Sequence, residues 1–268
     1  MVEQLARGEV REAVQELEKQ GRVHEIARRD DRIAAIAKEY AKSPEGTLVV
    51  SPDNRSRVEI NERIHAEMQE RGSVSKDEHR IMTLVPRQDL TGPERTWAAR
   101  YEFNDVARSF AVGDRIQFTA PDNDLKVANR ELGTVKAIGP DGQIHLKMDG
   151  DRDMQLDLRE HPHLDHGYAV TSHSSQGQTA ERVLIHVDTE LAAKDLLNSR
   201  MAYVAVSRGA EDAQLYTNDR AKLPEALGHD VSHESAHTPA MKPEQAITSQ
   251  QQEIAPVIEH DIGMGHSF

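Results

Sequence analysis

Residues 167–217 read GYAVTSHSSQGQTAERVLIHVDTELAAKDLLNSRMAYVAVSRGAEDAQLYT. A short apolar run, Tyr168 to Val170, ends in the polar, glycine-containing loop TSHSSQGQT. A second apolar run follows at Val183 to Val187, and then a helix-like stretch that ends in Ala205-Val206-Ser207-Arg208-Gly209. Strand, polar loop, strand, helix and strand in this order is α/β patterning. In open α/β sheets, ligands gather where the carboxyl ends of the strands meet such loops.

The loop carries no formal charge but many hydrogen-bonding groups: the hydroxyls of Thr171, Ser172, Ser174, Ser175 and Thr179 and the amides of Gln176 and Gln178. Gly177 allows close approach of a backbone. Such a loop can hold phosphates without reading bases, or it can be an ordinary polar connection. Arg208 follows an apolar helical stretch beside a small hydroxyl and a glycine. Its guanidinium either pairs with a carboxylate or presents its fork to a phosphate.

YAVTSHSSQGQT followed by YVAVSRG, with the strand VLIHV between them, resembles motifs V and VI of superfamily 1 DNA helicases. The match is to the helicase part of conjugative relaxases of the TraI/TrwC type, which is RecD-like. The resemblance implies an α/β fold, the second RecA-like motor domain with its parallel sheet. It also implies ATP with Mg2+ as cofactor and single-stranded DNA as partner. By the same resemblance Arg208 is the catalytic arginine finger. Gly177, Gln178 and Arg208 face the nucleotide, although Gln178 departs from the family's pattern. Thr171, His173, Ser175 and Gln176 belong to the DNA-contacting loop.

Outward from this stretch, residues 1–42 are expected to be helical. Val10, Val14 and Leu17 fall at helical spacing, and a second helix is expected from about His24 to Ala41. The run TLVVS (47–51) is a buried parallel strand by its continuous apolar character. Asp53 or Asn54 is placed to cap a helix over Arg55–Arg71. The block SPDNRSRVEINERIH resembles helicase motif IV, which implies that Arg55 or Arg57 lies near nucleotide or DNA. HRIMTLVP (79–86) reads as another strand. The polar stretch after it holds the only Trp, Trp97, either a packing anchor or a base-stacking surface.

From about Ala111 to Glu160 the pattern changes to short alternating runs, VGDRIQFTA, LGTVKAIG, GQIHLKMD and DMQLDL, broken by turn signals such as Gly139-Pro140-Asp141-Gly142. Short strands without helices between them predict a small barrel. Val112-Gly113-Asp114-Arg115 and the segment Asn129 to Val135 resemble the SH3-like insertion of the RecD/TraI helicases. The expected organisation is therefore a helical segment (1–42), a RecA-like domain in two pieces (43–108 and 166–227), an SH3-like insertion (109–165) and a disordered tail (228–268).

Three histidines and Asp165 in HPHLDH (161–166) raise a metal reading, but Pro162 forbids the helix on which such spacing would share a face. No metal is expected there. The chain has no Cys, which excludes disulfides and thiolate chemistry. The 268 residues carry a net charge of −13, which argues against wrapping nucleic acid with a broadly basic surface. Residues after Leu227 hold six Asp or Glu against one Lys, so the remainder stands at −8. No run of apolar residues is long enough for a membrane span, and a cytoplasmic location is expected.

A helicase motor also needs a phosphate cradle with a Gly-Lys pair, and no Gly-Lys pair occurs in this sequence. The expectation is a chain that starts after the cradle-bearing domain and needs the N-terminal RecA-like and relaxase portion as a partner. The conjugative transfer machinery is a further expected partner. On this reading the chain is inactive as an ATPase by itself. The alternative is a non-catalytic module that binds single-stranded DNA or a protein.

Overall fold

A computed structural model describes residues 2–86, 103–172, 175, 180–194 and 196–228. Trp97 and the tail from 229 onward lie outside the described residues. The chain opens with α1 (Val2–Ala6), α2 (Val10–Lys19), β1 (Val23–Glu25), α3 (Arg29–Tyr40), β2 (Thr47–Ser51) and α4 (Asn54–Glu70). It closes with β10 (Ala169–Thr171), β11 (Ala180–Val187), α5 (Ser199–Val206), β12 (Gly209–Thr217) and α6 (Leu223–Gly228). The five strands among these form one sheet in the order β1-β12-β11-β2-β10. Every pairing in it is parallel.

The sheet explains why TLVVS is apolar without alternation. Leu48 and Val50 face a cluster with α1, α2, α5 and α6, whereas Val49 faces a second cluster with α3 and α4. Both faces of the strand are covered, so both sets of side chains are apolar. The same split divides β11, with Val183, Ile185 and Val187 on one side and Leu184 on the other. This is the α/β fold with a parallel sheet, preceded by helices, that the motifs implied.

Two local expectations are corrected. The second N-terminal helix starts at Arg29 rather than near His24, because Val23–Glu25 joins the sheet edge in register with Leu215–Thr217. The backbone hydrogen bonds of that pairing, with Val23 buried, outweigh a helical pattern that continues across the segment. β3 (His79–Pro86) is also not part of the parallel sheet. It pairs antiparallel with β4 (Phe103–Phe110), whose polar sequence FNDVARSF concealed a strand.

The intervening residues form a second sheet, antiparallel, from β5 (Arg115–Phe118), β6 (Leu132–Ile138), β7 (Gln143–Met148), β8 (Asp153–Asp157) and β9 (Leu164–His166). Its strand order is β8-β7-β6-β5-β9. It has its own apolar cluster, which includes Phe110, Phe118, Ile144, Leu146 and Leu164. The Gly139–Gly142 turn joins β6 to β7, and Gly142 takes the positive φ of +87° that such a turn requires. Two residues after β9 the chain enters β10, so the two sheets meet at Gly167-Tyr168. Gly167 sits against the Ile116 carbonyl group, 2.7 Å from where a Cβ would lie, a contact that only glycine permits.

Candidate functional site

The polar loop connects opposite edges of the parallel sheet. Thr171 ends β10 at the carboxyl edge and is in register with Ser51, the last residue of β2. Ala180 begins β11 at the amino edge. Val50 is in register with Ile185, so the two ends of the loop are about six residues apart along the strands, roughly 20 Å at the usual rise. His173, Ser174, Gln176, Gly177, Gln178 and Thr179 lie outside the described residues.

At the amino edge the loop's end is tied to Arg208. The Ala180 amide donates to the Arg208 carbonyl oxygen at 2.9 Å. Arg208 is half-buried; its Nε donates to the Val204 carbonyl at 3.1 Å and an Nη to Ser207 Oγ at 3.1 Å. Both contacts lie within the last turn of α5 and orient the guanidinium along it. The next residue has to be glycine. A Cβ at Gly209 would lie 2.3 Å from the Asp212 carbonyl oxygen and 2.9 Å from Val183, distances that real Cβ atoms do not reach.

At the carboxyl edge, Thr171 stands beside the start of α4. Asp53 caps that helix through a 2.8 Å hydrogen bond from the Ser56 amide. The other Asp53 carboxylate oxygen and Ser51 Oγ are buried and accept or donate no hydrogen bond among the described residues. The free Ser51 hydroxyl beside Thr171 and the remaining N–H groups of the first turn of α4 can donate to an anion at this edge, whereas the Asp53 carboxylate opposes one. Ser175 is buried, and its hydroxyl donates to the Ser172 carbonyl at 2.8 Å, so it shapes the loop from within. Arg55 is exposed on the first turn of α4 and pairs with Glu59 at 3.1 Å.

Arg57 is buried instead, two residues further on. It donates to Asp165 at 3.0 Å, and Arg108 donates to the other oxygen of the same carboxylate at 2.7 Å. Burial opposes the charge on Asp165, but the two guanidinium groups outweigh it and hold its carboxyl below the ordinary value. This trio fastens α4 and β4 to β9. The HPHLDH residues therefore have separate partners: His161 bonds Asp122 at 2.6 Å, Asp165 takes two arginines, and His166 approaches Asp114.

Asn61 was not singled out from the sequence, yet it positions the loop. Its side chain accepts from the Ala169 amide at 2.7 Å and donates to the Ala169 carbonyl at 3.3 Å. β10 is an edge strand of the parallel sheet, and Asn61 of α4 takes the place of the missing neighbour. A polar residue at a core-facing position of an amphipathic helix was the available signal.

Residues 166–216 match the model of the UvrD-like helicase C-terminal domain. A conjugal transfer protein TraA of Rhizobium radiobacter is 34% identical over 147 residues, covering 53% of this chain and 13% of TraA. The multifunctional conjugation protein TraI of Escherichia coli K12 is 27% identical over 174 residues, covering 61% of this chain and 10% of TraI. The matched region thus spans about a tenth of the length of these relatives. Among solved structures, the Pif1 helicase of Candida albicans aligns at a TM-score of 0.43 and 18% identity, over 70% of this chain and 50% of that one.

Proposed function

We propose that this chain, a relative of the C-terminal helicase part of conjugative relaxases, is one half of an ATP-dependent DNA motor. In this reading the parallel sheet belongs to the second RecA-like domain, whose main pieces are 43–108 and 166–227 and which β1 of the 1–42 segment joins at its edge, and residues 109–165 are its SH3-like insertion. Arg208 is the arginine finger. ATP and Mg2+ are held by a cradle-bearing domain and approached by Gly177, Gln178 and Arg208. Single-stranded DNA is held by the loop residues Thr171, His173, Ser175 and Gln176 together with Arg55; of these, Thr171 and Arg55 stand at the carboxyl edge, and the buried hydroxyl of Ser175 acts by shaping the loop. A finger stabilises charge on the transferring phosphoryl group but cannot bind the nucleotide alone. Without its partner domain the chain therefore does not turn over ATP.

The observation that carries this reading is the loop's attachment at both edges of one sheet. Its start shares the carboxyl edge with the α4 N-terminus, and its end is bonded to Arg208. A single segment so fastened converts a change at the nucleotide into a change at the DNA. The cytoplasmic location and a role in conjugative transfer belong to the same proposal. Among the described residues, no helix is long and apolar enough to cross a membrane.

The test combines the purified chain with a separately produced cradle-bearing relaxase-helicase domain. DNA-stimulated ATPase activity should appear only in the mixture, and Arg208→Ala should abolish it while leaving DNA affinity in place. Turnover by the chain alone, or turnover of the mixture unaffected by Arg208→Ala, would contradict the reading. A second reading, a DNA-holding module without catalysis, is favoured by the separate apolar core of the antiparallel sheet. It predicts salt-sensitive binding of single-stranded DNA and no activity in any mixture.

A further inference from the structure

We infer that His65, Asp114 and His166 form a binding site for one zinc ion, placed where the antiparallel sheet is joined to the parallel one. The three residues come from separate elements. His65 is on α4, Asp114 precedes β5 and His166 ends β9. Their side chains nevertheless converge, with one potential ligand atom from each lying within 4.8 Å of the others. All three are buried, Asp114 completely.

Two observations mark this cluster as more than packing. A fully buried carboxylate needs a positive partner, and Asp114 is surrounded by imidazoles. His166 Nε2 is also buried and makes no hydrogen bond among the described residues, although it points at Asp114 Oδ2 from 3.6 Å. An imidazole nitrogen left in that state is costly unless something seats between it and the carboxylate. Ligand atoms on a tetrahedral zinc with bonds near 2.0–2.1 Å stand about 3.3 Å apart, close to the His166–Asp114 separation.

The surroundings are those of a nitrogen-rich zinc site. His65 Nδ1 lies 2.7 Å from Asp114 Oδ1, a hydrogen bond whose proton the metal would replace. That proton leaves to solvent, and the nitrogen lone pair bonds the cation after His65 and Asp114 part by about 0.6 Å to reach the tetrahedral spacing. His65 Nε2 faces Glu78 Oε1 at 3.2 Å, the carboxylate–histidine arrangement that orients metal-bound imidazoles. The Ala111 amide holds Asp114 Oδ2 at 2.7 Å and the Tyr168 hydroxyl donates to Oδ1, so both carboxylate oxygens are oriented from outside the cluster. Two imidazoles in a dry pocket favour Zn2+ over Mg2+ or Ca2+, which demand oxygen ligands and water.

The test uses the full chain, freed of metal by chelator and dialysis, and zinc chloride as the probe. Isothermal titration is run on the native chain, His166→Gln, Glu78→Gln and the control His161→Gln, with thermal denaturation alongside. The expected result is one tight equivalent in the native chain and in His161→Gln, with a rise in Tm of several degrees. His166→Gln should lose that equivalent. Glu78→Gln, on a half-exposed side chain that leaves the core intact, should weaken it by about ten- to a hundredfold. Zinc that binds folded and unfolded chains alike does not raise Tm, so the Tm rise reports binding to the folded chain. Zinc binding equal in the native chain and His166→Gln, or the absence of a Tm rise in the native chain, would overturn the inference. Either result would reduce the cluster to a closed hydrogen-bond network.

Discussion

The amide of Ala180 donates to the carbonyl oxygen of Arg208 at 2.9 Å, so the end of the polar loop and the base of the arginine share one hydrogen bond. Gly209 keeps that geometry, because a side chain there would strike the Asp212 carbonyl. Gly209→Ala should therefore shift the Arg208 backbone and strain β12. A destabilisation of about 1–3 kcal/mol is expected in urea denaturation. In the ATPase assay with a cradle-bearing domain, Gly209→Ala should lose activity alongside Arg208→Ala. Removal of a finger is worth about 10³–10⁵ in rate. Full activity in Gly209→Ala would separate the glycine from the arginine's placement.

The edge strand that leads into the loop depends on Asn61. Asn61→Leu keeps the branched shape of the side chain but removes the partners of both the Ala169 N–H and the Ala169 carbonyl. Leaving a buried donor and acceptor unpaired costs about 1–3 kcal/mol each. The Ala169 amide should exchange with solvent much faster in native-state hydrogen exchange, and affinity for single-stranded DNA should fall with it. Unchanged protection at Ala169 would show that the strand is held by β2 alone.

Much of this was legible in the residue pattern. TLVVS, VLIHV and the helix into Ser207-Arg208-Gly209 declare their elements because apolar periodicity and turn residues coincide. β1 was not legible, since three residues with a single buried apolar side chain carry no period and are set by pairing with β12. β4 was hidden because its partner is a hairpin strand and most of its side chains are only partly buried. The pairings of Asn61 with Ala169 and of Arg57 with Asp165 lay beyond reach for another reason. The partners stand 108 residues apart, and nothing local predicts which buried polar groups will meet.

The Arg57–Asp165–Arg108 trio gives a sharper stability prediction. Asp165→Ala leaves two buried or half-buried guanidinium groups without their carboxylate. Breaking a buried pair from one side typically costs about 3–5 kcal/mol. Thermal or urea unfolding should register that loss, and Asp165→Asn should fall between Ala and the native chain, since the amide retains one acceptor. A cost below about 1 kcal/mol would mean that the trio is solvated in practice, as exposed pairs are.

The pH dependence has a definite sign at His186. This side chain is fully buried on β11 and accepts from Arg32 Nε at 3.3 Å. Burial, reinforced by the Arg32 guanidinium, lowers its pKa from 6.5 to about 4, against the opposing pull of Asp188 and Asp53. Arg29 adds to the lowering. The folded chain thus holds His186 neutral, whereas the unfolded chain binds a proton below about pH 6.5. Unfolding takes up a proton in that window, so stability should fall as the pH drops from about 6.5 to about 4 and the contribution should level off below. The full loss amounts to about 3 kcal/mol. Asp165, with its lowered carboxyl, acts in a separate window: its contribution persists above the unfolded carboxylate pKa and disappears as pH falls through the folded value. His186→Gln retains an acceptor for Arg32 and cannot titrate. The native chain should lose about 3 kcal/mol more than His186→Gln between pH 6.5 and 4, because the other titrating groups act on both curves alike. Parallel curves for the two proteins would assign the slope to other groups.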